Sequence, residues 1–142
     1  MSNYTHFEYK AGLSQVGQYQ ASGVPYATSS LAVPASSSAP VEISFPRVTK
    51  FFTIYNTAST ASSPPALLRV GFSALGTTGS AGGGTNNYFV LSPGSSYTAE
   101  IKVSKLFLLG HTVASSASVI AGLTGIETGS LQDNWSGSIG VG

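Results

Sequence analysis

Few side chains in this sequence can do acid, base or nucleophilic chemistry, and their spacing gives no sign that they converge. The side-chain carboxylates are Glu8, Glu42, Glu100, Glu127 and Asp133, and the imidazoles are His6 and His111. Zinc and calcium sites need several such ligands at short, regular intervals, as in a His-Glu-x-x-His turn or a repeated acidic loop, and neither pattern occurs. Glu42 and Glu100 fall on the polar phase of alternating segments, where a carboxylate reads as solvated. His111 follows Gly110 at the end of an apolar run and reads as a turn histidine. Cysteine is absent, which removes disulfides, thiolate ligands and thiol nucleophiles together. No enzymatic activity, metal or cofactor is expected.

Serine is abundant, but a serine nucleophile requires a base and a group that orients the base. Gly71-Phe72-Ser73-Ala74-Leu75 departs from the Gly-x-Ser-x-Gly elbow only at Leu75. That elbow lies on a strand-to-helix turn, whereas the local pattern here reads as strand followed by flexible loop. The glycines at 79 and 82–84 lack the Gly-Lys-Ser/Thr ending of a phosphate-binding loop and read as slack between strands. Two Asn-x-Ser/Thr sequons, at Asn3 and Asn134, read as chance matches in a Ser-rich chain.

The aromatic residues are better candidates for binding. Tyr4, Phe7 and Tyr9 crowd into the first ten residues. One reading is an arm that adds to the sheet edge of a neighbour, and the other is a strand that folds back on its own body. Trp135, the only tryptophan, stands in a Gly/Ser-rich tail and reads either as the plug of a subunit contact or as a cap on the domain's own core, with the core as the default. The six cations, Lys10, Arg47, Lys50, Arg69, Lys102 and Lys105, are scattered, so strong nucleic-acid binding is not expected. No stretch approaches the roughly 20 apolar residues of a membrane helix. The first thirty residues also lack the apolar run of a signal peptide, so a soluble protein made without export is expected.

The elements that would position these residues are strands. Val41, Ile43 and Phe45 alternate with polar neighbours, as do Phe52 and Ile54, then Leu68, Val70 and Phe72, then Tyr97, Ala99, Ile101 and Val103. Shorter apolar runs lie at 88–91, 106–109 and 118–123. Turn residues separate them at 56–65, 92–94 and 110–116. With an early strand at 16–21, the pattern predicts about eight strands, the size of a single jelly-roll sandwich. Residues 27–40, rich in Ser and Ala with Pro34 and Pro40, read as a loop, and residues 76–87 read as another. The expected organisation is one all-β domain, with residues 1–40 as an N-terminal arm, early strand and Ser/Pro-rich loop, and residues 41–142 as the main body. At 142 residues a second core would not fit.

Charged residues make up only 8% of the chain, against about 25% in ordinary soluble domains, and the net charge is +1. Copies of such a chain barely repel one another, and interface centres are themselves poor in Lys, Glu and Asp. Composition therefore fits a surface made for contact, and fits equally a neutral secreted domain.

Four stretches resemble the single jelly-roll penton and minor capsid proteins of large icosahedral DNA viruses whose major capsid proteins are double jelly rolls. They are Ala11-Gly12-Leu13 with Val16-Gly17, Tyr19-Gln20 and Ser22-Gly23; Leu68 to Ser73; Asn87 to Leu91; and Val119 to Ile126. The resemblance implies a jelly roll, a homopentamer at a five-fold vertex, contact with the viral major capsid protein, residence in the virion after assembly inside the host cell, and no enzymatic activity. It adds Tyr19 to Tyr4, Phe7, Tyr9 and Trp135 as candidate assembly-interface residues. The outer domain or large insertions that penton proteins often carry are missing, which puts receptor binding in doubt. Two other readings belong to different classes: a carbohydrate-binding jelly roll with Tyr88 or Tyr97 as stacking platform, and a phage decoration protein.

Overall fold

The computed structural model describes residues 23–79, 86–130 and 133–142. Among them eight strands occur: β1 (Val24–Val33), β2 (Val41–Ser44), β3 (Thr49–Asn56), β4 (Leu68–Gly71), β5 (Tyr88–Leu91), β6 (Ser96–Ala99), β7 (Lys105–Gly110) and β8 (Ser115–Leu123). One turn of helix, α1 (Ala74–Thr78), follows β4, and single 3-10 turns cover Thr128–Ser130 and Asp133–Trp135. The strands form two four-stranded antiparallel sheets, ordered β1-β8-β3-β6 and β2-β7-β4-β5. The pairs β1–β8, β2–β7, β3–β6 and β4–β5 are nested, so the second half of the chain returns along the first and successive nested pairs fall in alternate sheets.

Alternation explains the core. One side of each sheet carries Phe52, Ile54, Val119 and Leu123 from the first and Leu68, Val70, Leu106 and Leu108 from the second, all fully or almost fully buried in a common cluster. Burying side chains of this size stabilises the fold by about 1.5–3 kcal/mol each. The two layers are thus a β-sandwich.

Buried polar residues close the ends. At the C-terminal end of β3 the Asn56 amide donates to Ala66 O and Leu91 O, both at 2.9 Å, and its Oδ1 accepts from Ala58 N and Ser115 Oγ. At the other end Thr49 Oγ1 donates to Ile101 O at 2.7 Å and accepts from Val103 N at 3.0 Å. Such groups would each cost on the order of 1–3 kcal/mol if left unpaired. No buried side-chain nitrogen or oxygen among the described residues lacks a partner.

Three local expectations change. Residues 27–33 are strand, not loop, because Leu31 and Val33 still turn inward while Ala27, Ser29, Ser30 and Ala32 are exposed. An edge strand with one partner needs few apolar residues, so the loop shrinks to residues 34–40. The loop at 76–87 begins as helix, because Ser73 caps it: its Oγ accepts from Gly76 N at 3.0 Å. The strand expected through Val103 ends at Ala99, since Thr49 captures the backbone of 101–103. The early strand at 16–21, the arm residues Tyr4, Phe7, Tyr9 and Tyr19, His6, the Asn3 sequon and the glycines at 82–84 lie outside the described residues.

Candidate assembly interface

Trp135 is placed by the residue before it. Asn134 sits in the left-handed backbone region at φ 57° and is buried to 2% exposure. Its Oδ1 accepts from Ser104 N at 2.7 Å, from Ser104 Oγ at 3.2 Å and from Lys105 N, while its Nδ2 donates to Lys105 O and Phe72 O. Asparagine is one of the few residues that tolerates this backbone region. The amide that makes Asn134 a sequon is therefore engaged inside the fold. Ser73 Oγ donates to Val141 O at 2.7 Å, so residues 133–142 are held against both the β6–β7 connection and the β4–α1 turn.

This clamp turns Trp135 outward. It is 49% exposed, so half of the side chain packs on the domain and half is left open to solvent. Together with Phe72, Ile101, Val103, Ile139 and Val141 it lines an apolar cleft of about 240 Å³. Ile139 is fully exposed and Ile101 is 41% exposed. Gly76 allows the tail to approach, since a Cβ there would collide with Val141 O. A second exposed apolar pair, Tyr55 and Ile120, stands on the outer side of the β1-β8-β3-β6 sheet beside a hollow of about 300 Å³.

Among the described residues, those considered for chemistry are engaged in structural contacts. The Gly71–Leu75 stretch does lie on a strand-to-helix turn, contrary to expectation, but the Ser73 hydroxyl proton goes to Val141 O and its lone pair to Gly76 N. His111 accepts from Arg69 Nε on Nδ1 at 3.1 Å. The same guanidinium donates to His111 O, Thr77 O and Thr78 O and lies 4.4 Å from the Tyr88 ring centroid. This cluster ties β4, β5 and β7 to the C-terminal carbonyls of α1. Glu42 forms an ion pair with Lys105 at 3.3 Å. No group of three metal-ligating side chains gathers among the described residues, and no helix among them is long and apolar enough to cross a membrane.

The proposed sugar platforms are also engaged. The guanidinium of Arg69 stacks on Tyr88, while Tyr97 makes an edge contact with Phe89 at 4.6 Å and lies against Phe52. Ile101, Ile139, Tyr55 and Ile120 are not among the candidate interface residues of the sequence, and Ile101, expected on the apolar phase of a strand, is exposed. Tyr55 and Ile120 were detectable as large residues on the polar phase of their strands. Ile139 was a lone branched residue among Ser and Gly. No protein-family model, curated protein or solved structure matches the chain.

Proposed function

We propose that this chain is a structural protein that works by self-assembly, and that its sandwich is a jelly roll serving as the penton or a minor protein of an icosahedral viral capsid. The nested strand pairs alternating between two sheets support the jelly roll, an architecture that recurs in capsid proteins. The observation that carries the assembly reading is the exposed apolar surface: Ile101, Trp135 and Ile139 around one cleft, and Tyr55 and Ile120 on a sheet face, in a chain with 8% charged residues. Trp and Tyr are the side chains that interface hot spots favour, and Trp135 and Tyr55 each stand beside an exposed isoleucine here. A ring of five is a head-to-tail assembly in which one surface meets a different one, and two separate apolar surfaces suit it.

Native mass spectrometry of the purified chain at micromolar concentration tests the reading, together with its detection in purified virions. A closed homo-oligomer, five-fold for a penton, is the expected result. A strict monomer that is also absent from virions overturns it. A particle without icosahedral vertices, such as a decorated tail, would move the same chain to the decoration class.

A further inference from the structure

The two sheets are finished differently on their outer sides. On β2-β7-β4-β5 the register places Glu42, Lys105 and Arg69 outward, the first two pair with each other, and α1 packs across β4 and β7. That side is already dressed with charge and partly roofed.

Among the described residues no helix packs across the outer side of β1-β8-β3-β6. Its central row runs Ala27, Ile120, Thr53, Thr98 across all four strands, and the next row brings Ser118, Tyr55 and Ser96 together. These four strands contain no Asp, Glu, His or Arg, and Lys50, near the start of β3, is their one charged residue. Tyr55 and Ile120 are each 46% exposed. An anionic partner such as a nucleic acid, an anionic membrane or an acidic peptide would find a single lysine, Lys50, in these strands to pair with.

We propose that this face is covered by a second copy of the same chain. The inference rests on the self-assembly reading and says which surface carries it. A chain of net charge +1 brings an equally neutral surface to the contact. The four strands, 10, 9, 8 and 4 residues long and spaced about 4.8 Å apart, give a face on the order of 500 Å² per copy, so two copies reach about 1,000 Å², the lower limit for a specific interface. The hollow of about 300 Å³ bordered by Ala27, Tyr55, Ser118 and Ile120 gives the incoming side chains a seat. Strand addition at the edges is the weaker route. The pairing of β1 is broken by a bulge between Thr28 and Leu31 with Ser30 at φ 55°, and β6 has only four residues.

Ile120→Lys places an unpaired charge at the centre of the face while leaving an exposed position exposed in the monomer. Sedimentation equilibrium should show self-association weakened by about a hundredfold or more, the usual effect of a buried unpaired charge at an interface. Far-UV circular dichroism should be unchanged, and Glu127→Lys, at an exposed site off this face, should associate like wild type. Because the chain has no cysteine, Ser118→Cys supplies a second readout that needs no destabilising change: alkylation should slow about tenfold or more once the protein associates. An oligomer that keeps Ser118→Cys freely reactive and tolerates Ile120→Lys overturns this proposal and leaves self-assembly standing. A wild-type chain that stays monomeric overturns both.

Discussion

Two successive left-handed residues, Asn134 at φ 57° and Trp135 at φ 61°, set where the only tryptophan points. Asn134 supplies acceptor and donors to the backbone of Phe72, Ser104 and Lys105, and its left-handed conformation, continued at Trp135, turns the chain so that Trp135 is half-exposed. Asn134→Ala removes all of these bonds, strands the buried Ser104 N–H and puts a Cβ residue without a compensating side chain at positive φ. The expected cost is about 2–4 kcal/mol. For a chain of this size that is a fall in Tm of roughly 5–12 °C by differential scanning calorimetry. Trp135 emission should shift to longer wavelength as the cleft opens. A Tm within about 2 °C of wild type would mean that the clamp contributes little. None of this was legible in the sequence, where Asn134 showed only as part of a sequon. Its partners lie 29 to 62 residues away in the chain, beyond the reach of any local pattern.

Among the elements, legibility followed the strength of the period-two signal. β2, β3, β4, β5, β7 and β8 were readable because large apolar residues alternate or cluster there and turn residues bound them. β1 was not, since the run Thr28-Ser29-Ser30 in its middle mimics a loop, and only the pairing with β8 makes it a strand. α1 was missed because one helical turn has no periodicity to detect, although Ser73 three residues ahead of Gly76 is a capping spacing. That helix also serves as the dock for residues 133–142. Gly76→Ala would drive a Cβ into both Val141 O and Ser73 Oγ. The tail must then move, at a cost of about 1–3 kcal/mol. The expected signature is a change in Trp135 fluorescence and anisotropy with far-UV circular dichroism preserved. Unchanged fluorescence would show that the tail does not need this close approach.

At the scale of the whole molecule, composition was informative about the surface and silent about its layout. The scarcity of charge pointed to contact, but only the register separates a sheet face carrying Glu42, Arg69 and Lys105 from one with no ion at its centre. The difference predicts how association responds to salt. An interface held by ion pairs weakens as the Debye length shrinks from about 14 Å to about 4 Å between about 50 and 500 mM salt, whereas an apolar contact is indifferent or strengthens slightly. The self-association constant of this chain should therefore change by less than about threefold over that range, which is under about 1 kcal/mol, and sulfate should tighten it. Sedimentation equilibrium at several NaCl concentrations reads this directly. A loss of association of about tenfold or more, about 1.4 kcal/mol, would place the contact on the charged sheet instead, with the Glu42–Lys105 pair broken to serve a neighbour.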